Sequence, residues 1–283
     1  MPLLYKQESG RPNNILGSAI PLIVHSSHLC YTAFIMNTLN LTRLPPIVAD
    51  KIAPMITDLL GHHAAGIHSI HITGSAVIAD YDEKQSDINS VVVLHQMDLA
   101  FIEFLAPLGK KYGKKKIAAP LVMTPLYIED SLDAFPMEFL DFKLIHKTIY
   151  GPDLFTGLQI LPSDLRLQCE REIKTKQIHL RQGYISSLGK KELLSALLIK
   201  SFTGSMALFR AIISLLGKEP PIPRQQVISL FKETTGVDSA VFEKILLLKS
   251  GNVKLSEQDL HALFKQYYNA LEAIGKIIDA LPQ

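Results

Sequence analysis

The chain has 283 residues, 47% hydrophobic and 20% charged, with 29 Lys and Arg against 27 Asp and Glu. This composition supplies one large core or two modest ones and excludes a disordered chain, and two domains are expected at this length. A formal charge of +2 sets up no field that demands a nucleic-acid partner, and Cys30 and Cys169 match no disulfide, metal or redox spacing, which suits a reducing cytoplasm.

The apolar run "ILGSAIPLIV" near the N-terminus is interrupted by Pro21 and falls far short of the roughly 20 residues that span a bilayer. It lacks a convincing cleavage site, so no membrane partner is expected, and residues 1–35 read as an extension outside the core fold. Residues 46–60 place Ile47, Ile52, Met55, Ile56 and Leu59 near one helical stripe between prolines and Gly61. "IHSIHIT" then alternates as a strand, "GSAVIADYD" opens a short helix, and "DINSVVVL" has the β-branched density of a buried strand. A helix is expected over 98–112, ending at the basic "GKKYGKKK", followed by strands at "APLVMT" and "FPMEFLDFKLI".

From Pro162 the periodicity is helical almost throughout. One long helix begins near Leu165, a second runs unbroken over 192–217, shorter ones fall near 224–234 and 239–249, and the last spans 256–281 with Ser256 and Asp259 as a capping pair. The expected fold is therefore α+β: a small mixed sheet with flanking helices over 36–160, then an all-helical bundle domain over 161–283.

Residues two apart on a strand share a face, so Asp87 and Asn89 face together. A strand at "PMEFLDF" presents either Glu138 or Asp141 to the same site, but not both equally. Glu138 is the sharper candidate, because a carboxylate within an apolar strand needs a partner such as a metal; Asp141 reads as solvated or paired with Lys143 or a nearby basic side chain. Asp80, Asp82 and Glu83 read as a solvated acidic turn, and Lys110, Lys111, Lys114, Lys115 and Lys116 as a solvated helix end and loop. His68 and His71 face opposite ways on a strand, so no zinc site is expected from the histidines at 62–95. Ser86, with no His and Asp arrangement tied to it, reads as a turn or cap residue.

"GSAVIADYDEKQSDIN" followed by "VVVL" resembles the signature of the polymerase-beta-type nucleotidyltransferase superfamily: a Gly-Ser turn, a short helix, an Asp-x-Asp at a strand start, and a third carboxylate on a nearby strand. The resemblance covers about 47–155, and the helical half is similar to the bundles of aminoglycoside nucleotidyltransferases. It implies that Gly74 and Ser75, with Ser86 nearby, bind the nucleotide. It also implies that Asp87, Asn89 and Glu138 hold Mg²⁺ and that Asp87, Glu138 and Asp141 form the catalytic set, with Glu138 or Asp141 helping to deprotonate the acceptor.

Two positions depart from the pattern. Asn89 stands where the second aspartate belongs, and Ile78 and Ala79 replace the usual Arg-Gly. A neutral amide holds a hard cation less well than a carboxylate does. The expected activity is Mg²⁺-assisted transfer of a nucleoside monophosphate from an NTP to an acceptor that is a small molecule, a protein or RNA. The alternatives are a catalytically degenerate nucleotide-binding or protein-interaction module, or a toxin- or antitoxin-like member acting on RNA or protein. A cytoplasmic protein is expected, and homo-oligomerisation is compatible with each reading.

Overall fold

The computed structural model describes residues 39–78, 81–83 and 86–282. The extension at 1–35, with Cys30, and the positions Ala79 and Asp80 lie outside the described residues. Among the described residues the sheet has four strands, β1 (Ile67–Thr73), β2 (Asn89–Leu94), β3 (Leu121–Met123) and β4 (His146–Tyr150), in the order β3-β2-β1-β4. β1 pairs antiparallel with β2 and β4, whereas β2 and β3 run parallel, so the sheet is mixed.

Helix α1 (Pro46–His63) starts after Pro45 and buries the stripe Val48, Ile52, Met55, Ile56, Leu59 and Leu60. Its Asp58 accepts from Lys111 Nζ at 2.8 Å and Tyr112 Oη at 2.6 Å, which ties it to α2 (Leu99–Gly113). One face of the sheet carries Ile70, Ile72, Val92 and Leu94, all buried. Val91 and Val93, on the other face, share a core with Ile128 of α3 (Pro125–Asp130), Phe139 of α4 (Pro136–Leu144), Phe155 and Leu158.

The bundle comprises α5 (Pro162–Ser187), α6 (Lys191–Phe202), α7 (Ser205–Leu215), α8 (Arg224–Thr235), α9 (Ala240–Lys249) and α10 (Glu257–Asp279). The mixed sheet with flanking helices and the following all-helical bundle match the expected α+β class. Ser256 and Asp259 form the reciprocal capping box at the start of α10.

Two local expectations are corrected. "FPMEFLDFKLI" contains a helix, α4, rather than a strand: Pro136 occupies its first turn, Glu138 lies in the first turn and Lys143 in the last. Those are helix start and stop signals, and a short helix buried on two sides shows no simple apolar stripe to outweigh the apparent alternation. The strand of this region is β4, immediately after it. The run at 192–217 is two helices rather than one, because Gly204 between α6 and α7 adopts a left-handed φ of 81°. Among the described residues no single helix is long and apolar enough to cross a membrane. The bent pair α6–α7 passes such a test by length and composition, yet its Leu194, Leu198, Phe202, Phe209 and Ile212 are buried in the bundle core.

Candidate functional site

Gly74 follows β1 with φ of 68°, a left-handed conformation that glycine adopts without side-chain conflict. Its N–H donates to the Ile145 carbonyl at 3.3 Å. Thr73 pairs with Asn89 across β1 and β2, and a Cβ on Gly74 would stand 3.7 Å from Asn89 Nδ2, so the amide lies over the turn. These residues open onto a cavity of about 330 Å³ lined also by Ser90, Leu121, Asp141 and Phe142. Its size is at the lower end for small-molecule sites.

Asp141 belongs to α4 and is bound by Arg210 of α7, whose Nη1 donates to Oδ1 at 2.9 Å. The guanidinium also donates to the carbonyls of Pro221 at 3.3 Å and Ile222 at 3.1 Å, so a buried charge is paired and its donors are directed. Burial raises the Asp141 carboxyl above its ordinary value, the charge and hydrogen bond of Arg210 oppose the rise, and Glu138 reinforces it.

The other anticipated residues are dispersed. Glu138 is exposed on α4 and accepts from Gln168 Nε2 at 2.7 Å; it lies on no strand and is not part of the cavity lining. Asp87 is exposed just before β2 and Ser75 lies in the turn after Gly74; neither lines the cavity. Ser86 donates its N–H to the Asp82 carbonyl at 2.7 Å in the loop before β2. The strand parallel to β2 offers Leu121, Val122 and Met123, without a carboxylate. Thus Asp141, Asn89 and Gly74 come together, and Asp87, Glu138, Ser75 and Ser86 do not join them at the cavity.

Backbone bonds bring one feature closer than the sequence suggests. Ile88 N–H donates to the Lys116 carbonyl at 2.8 Å and Ala118 N–H to the Ile88 carbonyl at 3.0 Å, so the Lys114–Lys116 loop abuts the entry to β2. Lys111, by contrast, is engaged with Asp58.

A second constellation was not anticipated. His71 of β1, His146 of β4 and Asp153 each place one ligand atom within 4.8 Å of the others, a grouping able to hold a metal ion. His71 is fully buried, with Nε2 2.9 Å from Ser69 Oγ and Nδ1 2.9 Å from Thr148 Oγ1. Burial, aided by the charge of His146, pushes its imidazole down to about 4 although Asp153 opposes the shift. Partial burial acts to raise the Asp153 carboxyl, but hydrogen bonds from Thr156, Phe155 and His146 hold it well below the usual carboxylate range. Strand alternation turns His68 away from His71, and the partners of His71 come instead from β4 and beyond. Arg210 did carry a signal: it is the one charge in the apolar helix "SMALFRAIISL", and a buried charge requires a partner.

No protein-family model matches the chain, and no curated protein matches it. Among solved structures it is similar to the spectinomycin adenyltransferase AAD(9) from Enterococcus faecialis, crystallised with ATP and spectinomycin. The identity is 15% and the TM-score 0.44, over 79% of this chain and 98% of that one. Values that low establish no shared activity.

Proposed function

We propose that this chain is a nucleotidyltransferase-like protein that binds a nucleoside triphosphate at the Gly74–Asn89 cavity and does not perform two-metal nucleotidyl transfer. One observation carries the reading. Of the carboxylates Asp87, Glu138 and Asp141, only Asp141 lines the cavity, and Arg210 already neutralises it. Two hard cations call for several anionic oxygens. Among the described residues lining the cavity, a single paired carboxylate and the neutral Asn89 do not supply enough of them for a pair of Mg²⁺ ions. The turn at Gly74 leaves room for a close ligand approach, and the backbone of the Lys114–Lys116 loop is bonded to the entry of β2.

Calorimetric titration of ATP and GTP, with and without Mg²⁺, into the wild type tests the binding. Saturable binding that weakens in Gly74→Val, with no pyrophosphate released, is expected. Absence of binding to either nucleotide would overturn the reading.

A second reading, transfer of a nucleoside monophosphate to an acceptor hydroxyl, is favoured by the raised proton affinity of Asp141 beside the cavity, a property of general bases. Pyrophosphate release by the wild type that disappears in Asp141→Asn would establish it in place of the first.

A further inference from the structure

We infer that His71, His146 and Asp153 form a binding site for one divalent cation of the zinc type, separate from the Gly74 cavity. The decisive geometry is at His146. Its Nδ1 lies 2.6 Å from the carbonyl oxygen of Phe142, an atom that only accepts, so Nδ1 carries a proton. Its Nε2 lies 3.0 Å from Asp153 Oδ1, which also accepts from the N–H groups of Phe155 and Thr156. A neutral His146 therefore aims a lone pair at a carboxylate. Only a positive charge between the two makes that stable: a second ring proton, or a metal ion.

His71 turns the pair into a ligand set. Each of its ring nitrogens lies 2.9 Å from a hydroxyl oxygen, of Ser69 or of Thr148; either hydroxyl can accept the ring N–H, which leaves the other nitrogen, once its hydroxyl turns away, as the ligand atom. Ligands on a tetrahedral ion with bonds near 2.0–2.2 Å stand roughly 3.3–3.5 Å apart. The 3.0 Å between His146 and Asp153 is close to that span, and the 4.8 Å limit on the three-atom group leaves a modest closure for His71. Two imidazoles and one carboxylate suit zinc-type ions, whereas Mg²⁺ and Ca²⁺ prefer oxygen.

The surroundings have the features of a supported site. The Phe142 carbonyl orients His146 through the nitrogen that does not face Asp153, and one of the Ser69 and Thr148 hydroxyls can orient His71 through the nitrogen that does not bind the ion. An opening of about 340 Å³, lined by Arg43, His146, Lys147, Thr148, Asp153 and Thr156, gives entry from solvent and room for a fourth ligand. Arg43 and Lys147 at that opening oppose a bare cation and favour a small anion in the fourth position.

The test uses the full chain, stripped with a chelator, then titrated with Zn²⁺ against a chromogenic competitor and with Co²⁺ followed by visible absorption. Uptake of about one equivalent is expected, with cobalt absorption of tetrahedral strength. Asp153→Asn, which keeps an oxygen for the Phe155 and Thr156 N–H groups, should lower the affinity by about a hundredfold or more. Glu257→Gln, at the exposed partner of His261, should leave it unchanged. Substoichiometric uptake by the wild type, an octahedral cobalt spectrum, or affinity unaltered in Asp153→Asn would each overturn the site and leave a protonated His146–Asp153 ion pair. The wild-type stoichiometry and cobalt spectrum decide the matter even where the variant does not fold.

Discussion

Arg210 is a buried cation held by Asp141 and two backbone carbonyls, and removing it strands a carboxylate already short of solvent. Arg210→Met should destabilise the fold by about 3–5 kcal/mol in urea unfolding, because breaking one side of a buried pair leaves the other uncompensated. The double variant Arg210→Met with Asp141→Leu should recover much of that loss, since an apolar replacement of both partners removes the stranded charge. His71 gives a pH dependence. Its folded-state value, about 4, lies below the ordinary 6.5, so the unfolded chain takes up a proton that the native chain resists. The resulting stability is fully present above about pH 6.5 and is lost as pH falls towards 4, by at most about 3 kcal/mol. Unfolding of chelator-treated protein between pH 7 and 4 should show this slope, and His71→Gln should flatten it.

At the scale of elements, the break between α6 and α7 depends on Gly204. A Cβ there would meet nothing within 4 Å, so substitution is penalised only through φ of 81°. Gly204→Ala should therefore cost about 1–2 kcal/mol by thermal or urea unfolding, with no change in the far-ultraviolet spectrum. Helix α4 is the other pivotal element. Met137 and Leu140 belong to the bundle core, whereas Phe139 belongs to the core beneath the sheet and Phe142 packs against it. That two-sided burial explains why its sequence imitates a strand. It also explains why Glu138, taken as a buried metal ligand, is exposed: the helix period turns it away from both cores.

The same helix couples the two halves of the molecule. It contributes side chains to both cores and carries Asp141 to Arg210 across from the bundle. A chain ending at residue 160 would expose Met137 and Leu140 and leave Asp141 without its cation. It should bind hydrophobic dye and lack a cooperative melt, while the full chain unfolds in one transition. Independent, cooperative folding of such a fragment would show that 36–160 is a self-sufficient domain.

Much of the architecture was legible in local patterns. Period-2 alternation in "IHSIHIT", β-branched density in "DINSVVVL", the helical repeats after Pro162 and the Ser256–Asp259 cap act over a few residues and need no distant partner. The Gly74 turn and its proximity to Asn89 follow from the same short-range order, because adjacent antiparallel strands bring them opposite. What tertiary structure alone decided is which charges meet. Asp141 finds Arg210, 69 positions away, and His71 finds Thr148 at a separation of 77, through packing that no local periodicity encodes. Desolvation forces those pairings, since a buried charge or ring nitrogen must find its partner wherever the fold supplies one.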